Sequence, residues 1–119
     1  MDYNNIKSFK DACNKLGISS ELPEFPIVQE AEQRSLVAHY KLIIIAKALN
    51  EGWMPNWTDR TQVKYYPWPQ YSAGVGFSFC DCAYSNTHSD VGSRLCYKSE
   101  ELARYAFYQF KDIYNDFLQ

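Results

Sequence analysis

The apolar positions of this 119-residue chain follow helical spacing near both ends and strand spacing in the middle. Residues 9–16 place their apolar side chains at intervals of three and four, which forms one helix face. Ser8 precedes this stretch as a helix cap with Asp11 as its capping-box partner, and Gly17 follows as a left-handed terminating residue. The pattern therefore predicts a helix over residues 8–16.

Two further helices are predicted from the same kind of spacing. The second begins near residues 28–30 and stops at Gly52, and its apolar groups lie on nearly all sides, which is typical of a helix buried at the centre of a fold. Ser99 caps the last helix, and Glu100 and Glu101 lie in its first turn, where the helix dipole favours negative charge. The main apolar face of this helix contains Leu102, Ala106, Phe110, Ile113 and Phe117.

Residues 53–84 mix aromatic, β-branched and turn-forming residues and carry few charges, which is typical of short strands joined by turns. Residues 63–71 predict a strand that is bulged or at a sheet edge, because its two prolines cannot donate to a ladder. Residues 75–84 alternate with a period of two and predict a second strand. Residues 91–97 predict a short third strand.

The predicted element order is therefore α-α-β-β-β-α. It favours an α+β fold, with a small three-stranded antiparallel meander and helices packed on one face. The length predicts a single domain over residues 1–119.

Composition favours binding over catalysis. Aromatic residues make up 17% of the chain, with ten Tyr, seven Phe and three Trp, and Tyr and Trp are enriched at the energetic centres of protein interfaces. The net charge of −2 argues against a broad grip on nucleic acid, which needs surplus Lys and Arg. We expect a non-catalytic interaction domain that binds another protein, or a second copy of itself, through an aromatic surface over residues 53–71.

The candidate binding residues are rings and cations that a strand edge could present: Trp57, Lys64, Tyr66, Trp68, Tyr71, Arg94 and Lys98. One alternative is that these rings only fill the core or cover a sheet edge. Another is a single-stranded nucleic-acid accessory protein, in which aromatic rings stack on bases and Lys or Arg contact phosphates.

A zinc site is the third alternative, with Cys80, Cys82, His88 and Cys96 as its ligands. The C-x-C spacing is shorter than the C-x(2–4)-C knuckle of structural zinc sites, which disfavours a metal. His39 stands alone on its helix, and no nucleophile has an evident base and positioning group. We therefore expect neither enzymatic activity nor a cofactor.

The N-terminal residues are polar and acidic and do not form a signal peptide. The longest apolar run, residues 42–46, is far shorter than the roughly 20 residues of a spanning helix. These features predict a cytoplasmic protein with free thiols and no membrane contact.

Three segments carry a resemblance to a known group of proteins: AHYKLIIIAKALNEGW (residues 38–53), KYYPW (64–68) and VGSRLCYKSEELA (91–103). They resemble small uncharacterised proteins of gut Bacteroidetes and their phages, and the similarity runs from about residue 36 to the end. The Gly-Ser-Arg-Leu-Cys stretch is its most specific part. The resemblance implies an intracellular protein of a prophage or other mobile element, and it implies no activity and no site residue.

Overall fold

Helix α2 lies at the centre of the fold. The computed structural model describes residues 3–73, 76–85 and 92–119, and for residues 76–85 it describes the backbone alone. Helix α1, helix α4 and a short 3-10 turn at Ser93–Leu95 pack against it, while helix α3 contacts both strands. The elements are α1 (Phe9–Leu16), α2 (Glu30–Asn50), β1 (Lys64–Ser72), β2 (Gly76–Ser85), α3 (Glu100–Gln109) and α4 (Lys111–Leu118).

The first helix begins and ends where its caps predict. The backbone N–H of Asp11 donates to the Ser8 hydroxyl at 3.1 Å, and the Asp11 carboxylate accepts from the backbone N–H of Lys7 at 3.0 Å. Gly17 ends the helix in the left-handed region, with φ of 69°. The prediction for residues 8–16 is confirmed, because local capping chemistry is sufficient to define a short helix.

The second helix is long and central, as its all-round apolar pattern predicts. Most of its C-terminal half is buried, including Leu42, Ile45 and Leu49. Glu51 and Gly52 follow with φ of 49° and 86°, and this left-handed pair turns the chain back alongside the last turns of α2. The turn determines where the following segment lies, and that segment forms one wall of the candidate site.

Strands β1 and β2 form an antiparallel hairpin, and their register shifts between Trp68 and Pro69. The bulge agrees with the prediction that prolines would interrupt this strand. At the root of the hairpin Lys64 and Tyr66 are buried, whereas residues from Trp68 onward become exposed. Residue 75, the first residue of the predicted second strand, lies outside the described residues.

The predicted three-stranded meander is wrong, because the sheet has only two strands in the described part of the chain. Residues 93–95 form a 3-10 turn, and only Tyr97 pairs with β1, through one bridge to Tyr65. On the other side of this segment the Asn50 side chain takes the place of a strand, since it donates to the Cys96 carbonyl and accepts from the Lys98 N–H. The last residue of α2 therefore binds the backbone groups of this segment that face away from β1.

The predicted last helix is divided. Ser99 caps α3 as expected, because its hydroxyl accepts from the Leu102 N–H at 3.2 Å. At Phe110 the backbone leaves the helical region, with φ of −113° and ψ of 33°, and the buried Phe110 ring separates α3 from α4. The change of direction brings α4 against α2, where the Ser35 hydroxyl donates to the Phe117 carbonyl at 2.9 Å.

Candidate functional site

The hairpin separates the predicted binding residues of β1 into buried and exposed groups. Lys64 is fully buried and Tyr66 is 5% exposed, so neither side chain is available to a ligand at the surface. Trp68 and Tyr71 lie toward the tip and are 50% and 57% exposed. The proposed aromatic platform is therefore not continuous along the strand.

Lys64 instead holds the turn that precedes its own strand. Its ammonium donates to the backbone carbonyls of Asn56 at 2.7 Å and Asp59 at 3.3 Å. It also lies 4.9 Å from the centroid of the Trp57 ring, within cation–π range. The Trp57 indole N–H donates to the Ser93 hydroxyl. Trp57 and Lys64 thus tie the 56–59 turn to the segment around residue 93.

The turn itself is shaped by two short side chains that accept hydrogen bonds from residues two positions ahead. Asn56 Oδ1 accepts from the N–H and hydroxyl of Thr58, and Asp59 Oδ1 accepts from those of Thr61. The two hydrogen bonds from Thr61 lower the pKa of the Asp59 carboxyl. Such Asx turns can be predicted from the local sequence, whereas the burial of Lys64 beneath them cannot.

Lys98 lies at the surface in a different network. Its ammonium is 3.8 Å from the Glu51 carboxylate, and Lys15 lies 3.7 Å from the same carboxylate. One acid is therefore shared between two lysines on this side of the molecule. Lys64, Arg94 and Lys98 do not form the common phosphate-binding set that the nucleic-acid alternative requires, because the first is buried and the third is paired.

A groove of about 710 Å³ runs along α2. Its volume falls in the range of roughly 300–1,000 Å³ that is usual for ligand sites. His39, Ile43 and Lys47 follow one another at intervals of four and form a stripe along its floor. The remaining walls are formed by Leu16, Ala46, Asn50, residues 52–55 and residues 92–94.

The wall at residues 52–55 is apolar and projects into solvent. The left-handed turn after α2 and a hydrogen bond from the Trp53 N–H to the Asn50 carbonyl at 3.0 Å place it beside the helix. Met54 is 78% exposed and leaves apolar surface in water. Flexible Met side chains are common at surfaces that adapt to protein partners.

Hydrogen bonds from three different parts of the chain hold the opposite wall, residues 92–94, in place. Ser93 accepts from the Trp57 indole, and the Cys96 thiol donates to the Gly92 carbonyl at 3.1 Å. The Asn50 amide holds the chain just beyond, through 2.9 Å and 3.0 Å hydrogen bonds to the backbone of Cys96 and Lys98. The groove is therefore preformed between two tethered segments and a rigid helix.

The groove carries positive charge within a largely apolar lining. Lys47 and Arg94 are exposed, and neither makes an ion pair with another described residue. The half-buried His39 ring packs against the Phe117 ring at 5.0 Å. None of the described residues that line the groove is Asp or Glu, so an anionic group would meet no repulsion from the lining itself.

The zinc alternative lies mainly outside what the structure describes, because His88 and the side chains of Cys80 and Cys82 are not described. Cys96 is fully buried and its thiol is engaged by the Gly92 carbonyl. The described residues contain no cluster of three His, Cys, Asp or Glu side chains placed to hold a metal.

Sequence reasoning identified Arg94 and the aromatic segment but missed His39, Ile43 and Lys47 as members of one surface. The available signal was their four-residue spacing on α2, with a basic residue at each end of an apolar one. Leu16 and residues 92–94 could not have been added, because only tertiary packing brings them to this helix.

No family model, curated protein or solved structure matches the chain. No helix in the described ranges is both long and apolar enough to cross a membrane. The geometry of the groove is therefore the main basis for assigning a function.

Proposed function

We propose that the protein is a binding module that holds an apolar, acidic segment of a protein partner in the groove along α2. The observation that carries the proposal is the combination of a largely apolar lining with the two cations Lys47 and Arg94 and no acidic residue among the described lining residues. This surface includes the first part of the predicted aromatic segment, residues 53–55, and it replaces the strand edge as the centre of binding.

Apolar contact supplies the affinity in this proposal. Ile43, Trp53 and Met54 offer neighbouring apolar surface, and burial of such surface contributes roughly 25 cal/mol per Å². A partner side chain that covers Met54 would remove an exposed apolar group from water. A groove beside a helix is also the geometry in which amphipathic segments usually dock, with several side chains anchored along one face.

Charge supplies the selectivity. Lys47 and Arg94 have no acidic partner among the described residues, whereas Lys15 and Lys98 nearby share Glu51. Complementary charge mainly increases the association rate and excludes partners of the wrong sign. A carboxylate that reaches either groove cation gains an interaction without breaking an existing ion pair.

The described contacts of the groove support binding more than catalysis. The Ser93 hydroxyl accepts from the Trp57 indole, and His39 stacks against Phe117. A nucleophile needs a base within about 3 Å and a third group that orients that base. The described residues of the groove supply positioned side chains for contact, without such a chain of hydrogen bonds.

Fluorescence anisotropy with two designed peptides tests the proposal. Both peptides carry the same Leu and Phe anchors, and one is flanked by Glu while the other is flanked by Lys. The acidic peptide should bind at least tenfold more tightly at low salt, and the difference should shrink as salt is added, since screening weakens exposed charge pairs.

Two exposed positions provide a matched pair of variants. Met54→Asp should abolish binding of the acidic peptide, whereas Tyr108→Asp, on a helix that does not line the groove, should leave it unchanged. Equal binding of both peptides, or an unchanged affinity in Met54→Asp, would contradict the assignment of the groove.

A further inference from the structure

The connection between α1 and α2 is apolar and acidic, like the partner segment proposed for the groove. Residues 17–29 form no helix or strand, and connections of this length without secondary structure are usually functional. Ile27 is 98% exposed, and Leu22 and Ile18 are 44% and 41% exposed. These three side chains offer apolar surface that a partner can cover.

The same connection is acidic. Glu21 and Glu24 alternate with its apolar residues, and the chain contains no Lys or Arg between Lys15 and Arg34. Pro23 and Pro26 restrict the backbone, so little conformational entropy is lost when the segment is held by a partner. Residues 21–27 are thus a stiff, apolar and acidic peptide within the protein itself, in which all residues except Pro23 and Phe25 are exposed.

This segment does not fill the groove of its own chain. None of residues 17–29 is among the described groove-lining residues, although Leu16 immediately before them is one. Ile27 also remains almost fully in water. The groove and the segment of residues 21–27 that matches it in charge are therefore both accessible on the same molecule.

We propose that the occupant of the groove is a second copy of this chain, which inserts residues 21–27 so that Glu21 and Glu24 face Lys47 and Arg94. This inference rests on the proposed function of the groove and names its partner. Since each copy carries one groove and one segment, two copies related by a twofold axis exchange both, which closes the assembly as a dimer.

A charge-swap experiment tests the exchange. The loop variant carries Glu21→Lys and Glu24→Lys, and the groove variant carries Lys47→Glu and Arg94→Glu. Each variant alone places like charges in both contacts of its own dimer and should be monomeric. In an equal mixture, the acidic groove meets the basic loop of the other variant, and the basic groove of that variant meets the acidic loop. The mixture should therefore form a heterodimer.

Sedimentation equilibrium of the wild type, each variant and the mixture gives the readout. The wild type and the mixture should dimerise, and each variant alone should raise the dimer dissociation constant at least tenfold. Ile27→Ser should also raise it at least tenfold, because the isoleucine loses its apolar contact. All five substituted side chains, at positions 21, 24, 27, 47 and 94, are exposed, so circular dichroism should show an unchanged fold.

A control variant with Lys7→Glu and Lys10→Glu has the same change in net charge as the groove variant and alters exposed lysines outside the groove. It should dimerise like the wild type. A monomeric wild type, a monomeric mixture, or variants that dimerise as well as the wild type would overturn the proposal.

The designed acidic peptide separates this inference from the proposed function. If the peptide binds the groove of a wild type that is monomeric at every concentration, the groove is a binding site and self-association is wrong. If neither the peptide nor a second copy binds, both proposals are wrong.

Discussion

Replacing Asn50 by alanine should destabilise the protein by about 2–4 kcal/mol, although the residue is neither charged nor part of an ion pair. Its amide donates to the Cys96 carbonyl at 2.9 Å and accepts from the Lys98 N–H at 3.0 Å. Asn50 is 6% exposed and Cys96 is fully buried. Each backbone group left without its partner costs about 1–3 kcal/mol, with the lower value for Lys98, which lies nearer to water.

Urea unfolding followed by tryptophan fluorescence measures this loss. With an m-value of about 2 kcal/mol per molar urea, the midpoint should fall by about 1–2 M without a change in slope. The same variant should bind the acidic peptide more weakly, because Asn50 holds the chain that leads from the 92–94 wall of the groove.

Asn115→Ala is the matched control for this substitution. Asn115 donates to the Lys111 carbonyl at 3.1 Å within its own helix, and the bond is at the surface. Its loss should change the free energy of unfolding by less than about 0.5 kcal/mol. A cost below about 1 kcal/mol for Asn50→Ala, or equal costs for both variants, would refute the idea that this amide replaces a strand partner.

Lys64→Met should lower the free energy of unfolding in urea by about 1.5–3 kcal/mol, because it removes an ammonium that donates to two backbone carbonyls. It should also shift the fluorescence emission of Trp57, because the ammonium lies over the Trp57 ring. Burial raises the pKa of Tyr97, so the folded protein keeps this proton when the unfolded chain begins to lose it near pH 10. Stability should therefore fall above pH 10 by up to about 1.4 kcal/mol per pH unit from this group, and urea titrations should show a shallower fall in Tyr97→Phe. Ser99→Ala should cost about 1 kcal/mol in thermal unfolding, since the hydroxyl caps α3, whereas Ser99→Asp should retain most of the stability.

The parts of the fold that depend on nearby residues were predictable from sequence. The caps of α1, the extent of α2 and the hairpin with its bulge follow from glycine, proline, serine and the spacing of apolar residues. The predicted third strand is wrong because residues 93–95 coil into a 3-10 turn, in which the Cys96 N–H donates to the Ser93 carbonyl, so that only Tyr97 reaches β1. No proline or glycine near Phe110 indicates the break between α3 and α4. The break coincides with the burial of the Phe110 ring, which depends on tertiary packing.

The candidate site was only partly predictable for a similar reason. A basic residue at the start of an aromatic run favours an exposed binding edge, yet Lys64 is buried because a turn eight residues earlier supplies its acceptors. The groove joins residues from α1, α2 and two loops, and sequence spacing relates only those on α2. Exposure of Trp68 and Tyr71 agrees with the expectation of surface rings, but they lie on the hairpin and are not among the described groove-lining residues.

Backbone amide NMR of the labelled protein, titrated with the acidic peptide, tests the central claim most directly. The account predicts concentration-dependent shifts at His39, Ile43 and Lys47 and in the two walls, residues 52–54 and 92–94. The hairpin tip should not respond. Shifts centred on Trp68 and Tyr71 with none along α2, or no shifts at all, would contradict it.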